Sequence, residues 1–125
     1  MNHLTKRNAL IVAISCLLIL LTLSGCGFER EYNDDIIIQL EDRDGEIVIK
    51  EWSFLMGSGA EVYYRNGKND MKLGSLLGGD DGFCPFKEGL YTVTVSGNEV
   101  TIEWDRLPAD STIPWEKKTF ELPSE

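Results

Sequence analysis

The sequence predicts an all-β domain: a small sandwich or barrel of six or seven antiparallel strands, built from hairpins, behind an N-terminal helical segment. Three observations carry this. Two-residue turn signals, Asp44-Gly45, Asn66-Gly67 and Gly97-Asn98, fall between runs rich in Val, Ile, Thr, Tyr and Trp. No stretch between them keeps a helical period. An open sheet of that many strands would leave an apolar face in water, so closure or a second layer must cover it.

The elements follow in order. Met1 to Asn8 carries Lys6 and Arg7, a basic start that stays on the cytoplasmic side of a membrane. Ala9 to Leu23 is uncharged and dominated by Leu, Ile, Val and Ala. At about 1.5 Å per residue this run spans about 22 Å, short of a ~30 Å hydrocarbon core. It therefore suits the apolar region of a secretory signal peptide, with Cys16 as one small apolar residue within it. Gly27 to Asn33 is polar and charged, a tether of at most ~25 Å. The domain organisation expected is 1–25 as a removed signal peptide, 26–33 as tether, and 34–125 as one β domain.

The first domain strand contains Ile36-Ile37-Ile38, apolar on both faces, which suggests a central or doubly covered strand. A two-residue turn at Asp44-Gly45 pairs Arg43 with Glu46, Leu40 with Ile49 and Gln39 with Lys50. It also sets Asp42 opposite Ile47, which fits poorly and points to a longer loop. Around Asn66-Gly67, Val62 pairs with Met71, Glu61 with Lys72 and Ala60 with Leu73. Around Gly97-Asn98 the pairs are Ser96 with Glu99, Val95 with Val100, Val93 with Ile102 and Tyr91 with Trp104. These apolar pairs share one face, while Thr94-Thr101 and Thr92-Glu103 take the other; a one-residue slip would oppose apolar to polar throughout. Lys117 to Leu122 supplies a last strand, and Pro108, Pro114 and Pro123 interrupt the tail.

Composition excludes several function classes. The only histidine, His3, lies in the leader, so a chain without residues 1–25 has no Ser-His or Cys-His mechanism and no His-ligated zinc. Cys84 is then the single thiol besides Cys26, so no Cys-only metal site is available, and no intramolecular disulfide either once the Cys26 thiol is acylated. Within Phe83-Cys84-Pro85-Phe86 it reads as a small buried apolar residue. Residues 26–125 hold 10 basic residues against 21 acidic ones, a net charge of −11. Such a surface repels nucleic acid and anionic lipid; it favours solubility and could attract a basic protein.

Four constellations resemble sites. Asp42-Arg43-Asp44-Gly45-Glu46 has the opening of a calcium loop but lacks the later ligands, so it is expected to be a turn. Gly57-Ser58-Gly59 lacks the Lys and helix of a phosphate loop. Pairs such as Glu99 with Glu103 have nothing to set them across a cleft as a glycosidase requires. Gly78-Gly79-Asp80-Asp81-Gly82 is the one candidate for weak cation binding, through Asp80 and Asp81, with a solvated loop as the favoured alternative. No catalytic residue, cofactor or resident metal is expected.

Leu23-Ser24-Gly25-Cys26 resembles the lipobox of bacterial lipoproteins: a branched apolar residue, two small residues and the cysteine that takes the lipid. The resemblance implies cleavage before Cys26, acylation of its thiol, and attachment to the extracytoplasmic face of the cell membrane. Two or three acyl chains hold firmly where one holds only marginally. The body is similar to uncharacterised small lipoproteins, largely Gram-positive, of unknown function. The resemblance rests on Gly57-Ser58-Gly59 leading into Val62-Tyr63-Tyr64, on Cys84-Pro85-Phe86, and on Tyr91-x-Val93 with Val100-x-Ile102-x-Trp104. The stretch Ser58-Gly59-Ala60-x-x-Tyr63 resembles the inhibitory loop of lysozyme-inhibitor lipoproteins, although their usual disulfide pair is missing. The expectation is a lipid-anchored envelope protein that binds or assists rather than catalyses. The alternative is an inhibitor or immunity-like module for a cationic extracellular protein such as a lysozyme; a hydrolase using carboxylates alone comes third.

Overall fold

The computed structural model describes residues 3–25 and 29–124. Two compact units result, Met1–Arg30 and Glu31–Glu125. In the first, helix α1 spans His3–Gly25 and covers the apolar run. No helix among the described residues is long and apolar enough to cross a membrane.

The second unit is all β, with eight strands in two antiparallel sheets and no closed barrel, a sandwich-like arrangement. The larger sheet contains β1 (Glu31–Tyr32), β2 (Ile36–Gln39), β3 (Glu46–Phe54), β4 (Gly57–Asn66) and β5 (Asn69–Leu77). The smaller contains β6 (Tyr91–Ser96), β7 (Glu99–Trp104) and β8 (Glu116–Glu121), in that order. The strand beyond the expected six or seven is the two-residue β1. It pairs Glu31 with Ser53 and Tyr32 with Trp52, so the folded unit starts within the stretch expected to be tether.

Both β1 and β2 lie along the same edge of β3. The isoleucine run is therefore an edge strand, not a central one. Ile36 and Ile38 pack against the core, while Ile37 faces outward and is half exposed. Outward-facing Val48 is nonetheless fully buried, between its cross-strand partners Ile37 and Tyr63.

The β6–β7 hairpin has the expected register at every pair. Gly97 takes φ +58, as the first central residue of a two-residue type II′ turn requires. One expectation about its face fails: Val95 is 42% exposed, because it lies at the end of an edge strand. The β4–β5 hairpin turns one residue later than Asn66-Gly67. Its loop is Gly67-Lys68, with Asn66 opposite Asn69 and Gly67 at φ +66. The register moves by two residues, which preserves the faces, and a bulge at Val62/Tyr63 moves it once more, so Val62 meets Gly74 and Ala60 meets Leu76. Lys72 still approaches Glu61, at 3.9 Å. Gly74 is required there: a Cβ would sit 2.5 Å from the Phe120 ring of the facing sheet.

Between β2 and β3 the loop runs over residues 40–45, and Gln39 pairs with Glu46. The longer loop is stabilised from outside. Tyr64 donates its hydroxyl to the Asp44 carbonyl at 2.7 Å, and Arg43 donates to the Pro123 carbonyl at 2.6 Å. Gly45 at φ +102 lies against the Tyr64 ring, where no Cβ would fit. Asp42 to Gly45 of the calcium-like sequence thus lie in a six-residue loop rather than at a two-residue Asp44-Gly45 turn, and the pairs Arg43–Glu46, Leu40–Ile49 and Gln39–Lys50 do not form.

The hairpin between β3 and β4 has no conventional turn sequence. Phe54 pairs with Gly57, leaving Leu55-Met56 as the two-residue loop. Leu55 adopts φ +49, a conformation that costs a non-glycine residue about 1–2 kcal/mol. Both side chains are exposed.

The core lies between the sheets. Ile47, Ile49, Ala60, Val62, Tyr64 and Leu76 face Val100, Ile102, Trp104, Phe120 and Leu122, with Leu40 and Phe86 contributed by loops. Ile47, Ile49, Val100 and Ile102 are fully buried, each contributing about 1.5–3 kcal/mol. On one side the sheets meet at β5 and β8, where Lys118 donates to the Ser75 carbonyl at 3.0 Å. On the other, β2 and β6 stay unpaired across a groove of about 350 Å³ lined by Ile38, Leu40, Val93 and Val95. That gap is why the sheets form a sandwich rather than a barrel.

Candidate functional site

The candidate site grows from one position on β3. Ile47, Ile49 and Glu51 alternate onto the core face of the strand. Two of them bury hydrocarbon; the third buries a carboxylate, 2% exposed. A buried carboxylate needs donors, and three converge on it. Asn33 donates its Nδ2 to Oε1 at 2.9 Å. The backbone N–H of Phe86 donates to Oε2 at 2.8 Å, and that of Lys87 to Oε1 at 2.8 Å. The Asn33 backbone N–H is held as well, by the Glu51 carbonyl at 2.9 Å. Glu51 thereby fastens the β1–β2 connection to the loop that precedes β6.

Beside this clasp lies a cleft of about 470 Å³, lined by Tyr32, Asn33, Asp34, Asp35, Ile36, Glu51, Phe86 and Lys87. Its rim is mixed: Asp34, Asp35, Lys87 and the Tyr32 phenol are exposed, with Lys50 paired to Asp35 at 3.2 Å. Glu51 is committed to three donors and is not poised as a general acid or base. The rim thus presents carboxylate and phenol groups beside a lysine ammonium, with Asp35 already in an ion pair.

The residues singled out by sequence lie elsewhere. Cys26 falls outside the described residues. Asp80 and Asp81 sit in a 3₁₀ turn over Asp80–Gly82, both exposed. The loop is fastened rather than merely solvated. Arg106 donates to the Gly78 carbonyl at 2.6 Å and reaches Asp80 at 3.9 Å and Glu116 at 3.6 Å. Gly78 hydrogen-bonds Ser58 backbone to backbone, and Ser58 Oγ donates to the Phe83 carbonyl at 2.6 Å. Among the described residues, no group of three His, Cys, Asp or Glu side chains is placed to hold a metal. Cys84 is half-buried, and burial pushes its thiol pKa up, which favours the unreactive thiol.

Ser58-Gly59-Ala60 lies within strand β4 and not in a loop. Ala60 is fully buried, and the Trp52 ring covers Gly59 closely enough to exclude a Cβ. The likeness to an inhibitory loop is therefore not matched by a loop here.

Glu51, Asn33 and the Phe86-Lys87 backbone were not anticipated from sequence. One signal was present: the alternation Ile47-x-Ile49-x-Glu51 puts a charge where the pattern demands an apolar side chain. Its partners carried none, since two are backbone groups 35 and 36 residues away. Comparison with known protein families, with curated proteins and with solved structures finds no match to this chain.

Proposed function

We propose that this chain is a bacterial lipoprotein, held by acyl chains on Cys26 at the extracytoplasmic face of the cell membrane, whose β domain binds a partner rather than catalysing a reaction. The observation that carries the proposal is Leu23-Ser24-Gly25-Cys26 directly behind the uncharged Ala9–Leu23 run. The domain supports it by being a compact unit of its own from Glu31 onward, five residues after the cysteine. The partner class that fits is a basic protein. The chain from Cys26 onward carries −11, and at the mouth of the cleft stand Asp34 and Asp35, the latter paired with Lys50, beside Lys87.

Mass spectrometry of membrane-extracted protein should find an N-terminal peptide that starts at acylated Cys26. Cys26→Ser should abolish both the modification and the cleavage that depends on it. An intact, unmodified leader on the wild-type protein would defeat the proposal. Pull-down from the native envelope at low and moderate salt tests the binding role: a basic partner should be captured and then lost as salt screens exposed charge over ~8–10 Å. That outcome would also favour inhibition of a cationic extracellular protein, including a lysozyme, over a purely accessory role.

A further inference from the structure

We infer that the Leu55-Met56 tip of the β3–β4 hairpin is a membrane-contact element that seats the domain on the lipid bilayer. The inference rests on the lipid-anchor reading above.

Two-residue hairpin loops favour Gly, Asn and Asp, which accept positive φ and face water comfortably. This chain uses Gly67-Lys68 and Gly97-Asn98 at its other two tight hairpins. At the third it places Leu55, strained at φ +49 and 72% exposed, followed by Met56, 76% exposed. Nothing in the fold requires two large apolar side chains at a turn that glycine would make more easily.

The surroundings extend the patch. Tyr32, Trp52, Gly59 and Leu77 form one row across the outer face of the larger sheet, linked by successive cross-strand pairs. Its two ends, Tyr32 and Leu77, are 53% and 68% exposed. Residues 52–60 and 73–79 contain no charge, in a chain of which 26% is charged. The acids that border this end are Glu31, paired across from Ser53, and Asp80 with Asp81, whose loop places Gly82 against the Leu55-Met56 backbone.

Chain length selects the bilayer as the occupant. Cys26 precedes Glu31 by five residues, at most about 18 Å of extended chain. Glu31 and Tyr32 pair with Ser53 and Trp52, immediately behind the tip. A lipid on Cys26 therefore holds this end of the domain within reach of the membrane. The bordering acids oppose anionic headgroups and limit the contact to the tip. Contact at the depth of interfacial anchors, about 5–10 Å, suffices for two side chains on a hairpin.

The test uses the full chain, matured in a bacterial host and reconstituted into phosphatidylcholine vesicles with plain or brominated acyl chains. Met56→Trp places a reporter at the tip. Its added emission should shift to the blue on vesicles and be quenched by the brominated lipid. The double variant Leu55→Gly with Met56→Asn copies the Gly97-Asn98 turn of the same chain. It should melt no lower than wild type, yet its tryptophan emission on brominated vesicles should be quenched less than that of wild type, where Trp52 lies just behind the tip. A lipidated, vesicle-bound Met56→Trp protein whose emission ignores bromine would overturn the tip contact alone. So would a reporter buried only as protein concentration rises, which would assign the patch to a second copy of the chain. N-terminal peptide mass from the same samples scores the anchor separately: unmodified Cys26 would overturn the reading beneath the inference.

Discussion

Removing the carboxylate of Glu51 should destabilise the domain more than any other single acidic substitution described here. In Glu51→Ala the Phe86 N–H loses its acceptor in a fully buried position, and the Lys87 N–H and Asn33 amide lose theirs in partly buried ones. A hydrogen bond to a charged group contributes about 1.5–3 kcal/mol, and a buried donor left unsatisfied costs about 1–3. Counting the Phe86 bond in full and the two wetter bonds at a fraction gives about 3–5 kcal/mol. For a domain of this size that is a fall in Tm on the order of 12–30 °C. Glu51→Gln keeps a carbonyl acceptor but turns an NH₂ toward a donor, so it should cost less, about 1–3 kcal/mol. Exposed Glu99→Ala serves as the control, within about 0.5 kcal/mol of wild type. Urea unfolding followed by near-ultraviolet circular dichroism and by tryptophan emission measures all three. If Glu51→Ala falls within about 1 kcal/mol of Glu99→Ala, the clasp does not hold the β1–β2 connection as described.

Two further predictions concern the core and the outer face. Ile102→Ala, in the fully buried position of β7, should cost about 2–5 kcal/mol, against about 0–1 for Thr101→Ala on the opposite face; equal costs in chemical denaturation would contradict the register. Tyr63 donates its hydroxyl to Glu61 Oε2 at 2.7 Å, and that bond, with burial adding to it, pushes its pKa up to about 12. The neutral phenol is the form favoured by folding. Its contribution is therefore complete below the ordinary tyrosine range near 10 and is lost as pH rises through about 12. Ultraviolet titration, with Tyr63→Phe to assign the signal, should find the Tyr63 phenol ionising late, and Glu61→Gln should bring its ionisation to lower pH; a Tyr63 titration unaffected by that change would remove Glu61 as the cause.

How much was legible in the sequence depended on how local the determining interaction was. The all-β class, the β6–β7 register and the final strand needed only the two-residue period and Gly97 at the first central position of its turn. Those are properties of neighbouring residues. Asn66-Gly67 showed where a hairpin lies but not which residue leads it. The II′ geometry uses Gly67 as its first residue, and the bulge at Val62/Tyr63 brings Gly74 beneath Phe120 of the other sheet. The poor fit of Asp42 opposite Ile47 pointed to a longer loop, but its extent over 40–45 was not legible, because its anchors, Tyr64 and Pro123, are remote in sequence.

The motif Leu23-Ser24-Gly25-Cys26, on which the proposed lipid anchor rests, is linear and legible without any fold. The isoleucine run could not declare itself an edge strand, because three apolar residues in a row suggest cover on both faces, whereas Ile37 is half exposed and β2 has a partner on one edge only. Sandwich rather than barrel was settled by β2 and β6 remaining unpaired, a matter of where two distant edges come to rest. The site followed the same rule. The sequence displayed an acid at a core position in Ile47-x-Ile49-x-Glu51, but only folding could bring the Phe86 and Lys87 amides to it. Backbone N–H groups are common to nearly every residue and leave no mark in the sequence.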